Sequence, residues 1–156
     1  METRYMKTLT MILLALPLVT ACTSGPSKRE LNDEVKRLCA IDGGIKVYET
    51  VRLPAERFDK YGQIRIPYKE IVKPEDEYYY ESSTTNLIKG NPELLQLHTQ
   101  FYRKSDKKLL GESVVYMRRG GGMPGPWHMP AFSCLEKEDD GYLKRQIFIK
   151  GMKEKL

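Results

Sequence analysis

Apolar residues recur every third or fourth position in one part of this chain and at every second position in most of the rest, and the period changes at Asp42-Gly43-Gly44. Before that point, Leu31, Val35 and Leu38 occupy i, i+4 and i+7, a narrow helical stripe, while Lys28, Arg29, Asp33, Glu34, Lys36 and Arg37 fill the wet side. Ser27 and Glu30 have capping-box spacing, so a helix is predicted to begin there and to stop at the glycines. After it, Ile45, Val47, Glu49 and Val51 alternate with Lys46, Tyr48, Thr50 and Arg52, as a half-buried strand requires. Pro54 starts a short helical turn through Phe58, Tyr61 to Pro67 reads as a loop with an extended piece at Gln63 to Ile66, and Pro74-Glu75-Asp76 is a turn. Tyr78 to Ile88, the alternating run from Leu95 to Tyr102, and Leu110 to Arg118 read as strands joined by polar turns at Gly90-Asn91-Pro92 and Ser105 to Lys108. Connections this short require antiparallel neighbours, because a parallel pair needs a long crossover. Tyr142 to Lys150 reads as a last strand, with a short helix as the alternative. The expected fold class is α+β, with the N-terminal helix packed on an antiparallel sheet of about four or five strands.

One apolar run stands outside this scheme. Thr8 to Leu18 follows the basic residues Arg4 and Lys7 and falls short of the roughly 20 residues that a membrane-spanning helix needs, which is the pattern of a signal peptide. The expected organisation is a leader over residues 1–21, a tether with Gly25 and Pro26 over 22–27, and a single small domain over 28–156. The 156 residues carry a formal net charge of +5, but acidic and basic residues are interspersed, with no Lys/Arg stripe of the kind that neutralises phosphates, so nucleic acid is not an expected partner.

Val19-Thr20-Ala21-Cys22 resembles the lipobox of bacterial prolipoproteins, in which the cysteine thiol is lipidated and the chain is cleaved just before it. The resemblance implies that Cys22 becomes the lipidated first residue and anchors the protein to a membrane. Cys39 and Cys134 then remain in an oxidising compartment, and a disulfide between them is expected to staple helix to sheet. Such a bond closes a loop of about 95 residues, for which chain entropy assigns roughly 4 to 5 kcal/mol. The alternatives are two buried thiols or two metal ligands, and no CxxC or His/Cys spacing supports a metal.

The most unusual segment is Arg118-Arg119-Gly120-Gly121-Gly122-Met123-Pro124-Gly125-Pro126-Trp127-His128. Consecutive glycines present backbone amides in an array and the arginines supply charge, so Arg118, Arg119, Trp127 and His128 are candidate contacts for a partner or an anionic ligand. The plainer reading is a long connection in which glycine and proline set turns, Trp127 covers the core edge and the arginines are solvated. It is neither a P-loop nor a dinucleotide fingerprint. His98 and His128 are the only histidines, no G-x-S-x-G is present, and Cys134 with His128 is a formal nucleophile and base whose expected disulfide argues against that use. Glu75, Asp76 and Glu77 precede Tyr78, Tyr79 and Tyr80 in a pattern that suggests a glycan, but adjacent acids in a turn and tyrosines alternating between faces describe a solvated turn and a strand. No catalytic residue, metal or cofactor is assigned.

The segments from Asp42 to Val51 and from Gly125 through Cys134 resemble those of a group of uncharacterised small lipoproteins from Gram-negative bacteria. In such lipoproteins an aspartate after the lipidated cysteine retains the protein in the inner membrane. Thr23 stands there instead, so the resemblance implies the outer membrane, facing the periplasm. The expectation is a lipid-anchored envelope protein with a non-enzymatic binding or structural role and an envelope protein as partner. The alternative is a small envelope enzyme or carrier acting on a glycan or an anionic metabolite.

Overall fold

Ser27 sets the start of helix α1 (Lys28–Asp42): its hydroxyl accepts from the Glu30 amide at 3.3 Å and the Glu30 carboxylate accepts from the Ser27 amide at 2.7 Å, the expected reciprocal cap. At the other end the Gly43 amide donates to the Cys39 carbonyl, and a Cβ at Gly43 would lie 2.6 Å from the Cys39 backbone, so glycine is the residue that permits the exit. Leu31 and Val35 are fully buried and Leu38 is half-buried, so the stripe is the face that docks. This computed structural model describes residues 25–122, 131–133 and 140–151. Cys22, Trp127, His128 and Cys134 lie outside them.

The helix packs on an antiparallel sheet of five strands, which makes the fold α+β. Its main path runs β1 (Gly44–Val47), β5 (Leu109–Arg119), β4 (Glu93–Arg103), β3 (Tyr78–Ile88), and β6 (Ala131–Ser133) pairs with the far end of β5, continuing the row that β1 begins. Registers such as Gln96↔Tyr116 and Thr85↔Gln96 place Tyr116, Gln96 and Thr85 on one face, together with their i±2 neighbours. That face receives α1 at Leu94, Val114 and Tyr116. The opposite face holds the larger core, where Phe101, Leu110 and Tyr80 meet Leu53, Ile64, Ile66, Leu143, Ile147 and Phe148. Gly111 is the point of closest approach there, since a Cβ on it would stand 2.8 Å from the Ile147 Cδ1.

Three local expectations are corrected. The strand read from Ile45 to Val51 is two strands: β1 pairs antiparallel with β5, and β2 (Val51–Leu53) pairs parallel with β7 (Phe148–Lys150) in a separate ribbon. The break falls where the Tyr48 and Glu49 amides both turn to the Leu110 carbonyl and the Glu49 carboxylate binds Arg103 and Lys108 instead of following the ladder. The segment from Tyr142 to Lys150 is mostly helix, α2 (Asp140–Ile147), followed by β7. Leu143 and Ile147 are both buried and stand four apart, a helical spacing masked by the strand-favouring β-branched and aromatic run Ile147-Phe148-Ile149. The third correction is β6, which adds a strand within what read as a single long connection after Arg118.

Candidate functional site

Helix α1 covers only half of the face it packs on. Beyond Val114 this face carries Lys46, Tyr48, Glu112, His98, Gln100, Tyr102, Tyr79, Glu81 and Ser83, half-buried or exposed. A strip of hydrogen bonds runs into it from the helix end: Gln96 Nε2 donates to the Tyr116 hydroxyl at 2.8 Å, and that hydroxyl donates to the Asp42 carboxylate at 2.9 Å. Further along, Glu112 accepts from the Tyr48 hydroxyl at 2.5 Å through one oxygen and meets His98 Nε2 at 2.8 Å through the other. Two strands, β4 and β5, and the bend after β1 contribute to this second group. Beside it Tyr79 and Tyr102 stack with ring centroids 5.3 Å apart and an interplanar angle of 16°, and Glu81 pairs with Lys69 at 2.7 Å.

The electrostatics define what the group can do. The Tyr48 hydroxyl, then His98 and Lys46, hold the Glu112 carboxyl below its ordinary range against the opposing effect of burial, so it is a carboxylate at neutral pH. The same hydrogen bond pushes the Tyr48 phenol up. Burial first, then the charge of Glu81, raises Tyr102. Glu112 is therefore an acceptor and a fixed negative charge, and the two tyrosines are neutral donors. With Nε2 directed at Glu112, the second ring nitrogen of His98 is the one left for other contacts.

Ser83 is the register partner of His98, so a hydroxyl, an imidazole and a carboxylate follow one another across β3, β4 and β5. The residue types match a hydrolase triad, yet no hydrogen bond joins Ser83 to His98 among the described residues. A strand interior also commits its inward amides to the ladder, whereas acyl transfer needs two free donors aimed at the developing oxyanion. The arrangement is a platform with fixed aromatic and charged groups.

The glycine-rich segment divides. Arg118 is buried at 2 % exposure, with Nε donating to the Asn32 side chain at 2.7 Å and Nη1 to the Gly120 carbonyl. It ties α1 to β5 and is not available as a solvent-facing contact, contrary to its expected role beside Arg119. Its burial follows from alternation, since Arg118 shares the face of Tyr116 and Val114 beneath the helix. Arg119 points the other way, 53 % exposed, and pairs with Glu93 at 2.5 Å. Gly120 and Gly121 have φ of 88° and 74° and lie against the Asn91-Pro92 turn, where the Asn91 side chain already accepts from the Gly121 amide at 2.7 Å. These two glycines dock one turn on another, and at Gly121 the amide is taken. Trp127 and His128 lie outside the described residues.

Glu75, Asp76 and Glu77 form the solvated turn that was expected, lining an open hollow of about 510 Å³ with Arg103 and Lys104. Among the described residues no group of His, Cys, Asp and Glu has metal-binding geometry, and no helix is long and apolar enough to cross a membrane. Cys39 is disulfide-bonded, and its partner lies outside the described residues. In the sequence His98 stands out only as one of two histidines. Its partners Glu112 and Tyr48 come from 14 and 50 positions away, and nothing in the local pattern marks them.

No known family, curated protein or solved structure matches this chain.

Proposed function

We propose that this protein is a lipid-anchored envelope protein with a non-enzymatic binding role. Cys22 carries the lipid, the domain faces the periplasm from the outer membrane, and the bare half of the sheet face receives another envelope protein. One observation carries the binding reading: the face that α1 leaves uncovered presents a tyrosine pair stacked across two strands and a Tyr48–Glu112–His98 group built from β4, β5 and the bend after β1. Rigid aromatic side chains are enriched at interface centres, because they bring much contact area for little lost entropy. The anchor reading rests on the leader pattern and on the lipobox resemblance of residues 19–22. The same tyrosine stack favours a second reading, a carrier for a glycan, since sugar rings lie on aromatic faces.

Cross-linking in intact cells followed by capture of the full chain tests this. His98→Ala and Tyr102→Ala should each lose the captured partner while the thermal midpoint falls by only a few degrees. Recovery of the same partner by both variants would refute the face as the binding surface. Loss confined to Arg119→Ala or Trp127→Ala would transfer the role to the loop after β5, and displacement of the partner by free oligosaccharide would favour the carrier.

A further inference from the structure

Among the described residues, the outer edge of β3 is open over the middle of its length. The segment 67–71 covers the edge only at its start: the Tyr80 amide donates to the Pro67 carbonyl, Tyr68 bridges Tyr80, and the Tyr68 hydroxyl donates to the Ser82 carbonyl at 3.0 Å. These contacts fix which backbone groups point outward. In an antiparallel ladder the direction alternates, so Tyr80, Ser82, Thr84 and Asn86 direct their amides and carbonyls away from β4. Ser83 to Leu87 are all exposed, and at Thr84 and Asn86 nothing in the described structure pairs with those groups. The usual protections of an edge, a lysine or a proline within the strand, are absent from Ser82 to Leu87. A bulge at Leu87 ends the flat stretch.

We propose that this edge pairs with the same edge of a second copy, β3 against β3, antiparallel about a two-fold axis at Thr85. In that register Thr84 of each copy opposes Asn86 of the other, so the amides and carbonyls that are free in the monomer satisfy one another twice over. Thr85 meets its own equivalent, and threonine pairs are among the favourable cross-strand contacts. Pairing stops before Ser82, whose carbonyl is already taken. The uncharged stretch from Ser82 to Leu87 is its own mate in this register, which is what selects a copy of this chain over an arbitrary strand, while Glu81 beyond it keeps its pair with Lys69 at 2.7 Å. No charged residue lies between Ser82 and Leu87, so no like charges are opposed within the pairing, and the assembly closes at two. The interface is small, so the dimer belongs to the weak, reversible class, and a shared membrane anchor would raise its local concentration.

Sedimentation of the purified full chain over a wide concentration range tests this, with Thr84→Pro as the key variant. Proline is tolerated on an edge strand where the lost amide faces outward, so the fold and the β3–β4 ladder should survive while the dimer weakens at least tenfold. Thr85→Cys should form a disulfide-linked dimer under mild oxidation, beyond any formed by the parent chain's own cysteines. If Thr84→Pro does not fold, Thr85→Lys serves, because it sets two ammonium groups opposite each other on an exposed position. A parent chain that stays monomeric throughout, or a dimer indifferent to these substitutions, would overturn the proposal. So would preferential capture of an unrelated extended peptide at this edge.

Discussion

Two adjacent arginines with the same local context have opposite roles, and a one-residue step along a strand is enough to separate them. The guanidinium of Arg118 lies under α1 with its charge dispersed over Asn32 and the Gly120 carbonyl, and burial lowers its pKa. Arg118→Ala should destabilise the fold by about 2 to 4 kcal/mol in chemical denaturation, because it strands the polar groups that face the guanidinium and leaves a void. Lysine should not rescue it, since it lacks the planar fork. Arg119→Ala, at an exposed ion pair, should stay within about 1 kcal/mol of the parent. Glu112 supplies a pH test. Its folded-state pKa lies below the ordinary 4.5, so its contribution to stability is present above that value and is lost as pH falls through the lower, folded-state one. Urea midpoints measured from about pH 7 down to about pH 3 should fall less steeply for Glu112→Gln than for the parent in the acid range. Tyr48→Phe should lie between the two, because the Tyr48 hydroxyl is the largest cause of the shift.

At the scale of elements, Gly111 decides how closely α2 approaches the sheet. A methyl group there meets the Ile147 Cδ1 at 2.8 Å and the Lys46 carbonyl at 2.9 Å, so Gly111→Ala should cost about 1 to 3 kcal/mol. Combining it with Ile147→Val should recover part of that loss, a non-additivity that a double-mutant cycle would measure. The same element shows why the C-terminal segment misled the sequence reading. Leu143 and Ile147 carry a helical period, but β-branched residues and an aromatic follow at once, and β7 needs them for its parallel pairing with β2. Local propensity here reports two short elements as one, whereas α1 was legible because its cap, stripe and terminating glycines agree.

For the whole molecule, the junction of α1 with the sheet carries the proposed disulfide. Phe132 of β6 packs against the same buried cluster as Leu38 and Cys39, and Lys36 lies over its ring at 5.7 Å. Cys134 follows the last residue of β6 by one position in the sequence and lies outside the described residues. If Cys39 and Cys134 form the bond, Cys39→Ser, Cys134→Ser and the double variant should lose the same stability, about 2 to 5 kcal/mol, and peptide mapping should recover the linked pair. Unequal losses would assign Cys39 another partner. The sequence alone determined the helix and its limits, the three long strands with their turns, and the α+β class, because capping, period and turn chemistry act between residues close in the chain. Only the tertiary structure decided that Arg118 is interior, that β1 and β2 part company, and that Tyr48, His98 and Glu112 meet on the half of one face that α1 leaves uncovered. Those outcomes depend on strand order, register and the length of sheet that one helix can cover, and each of these is set by contacts between residues far apart in sequence.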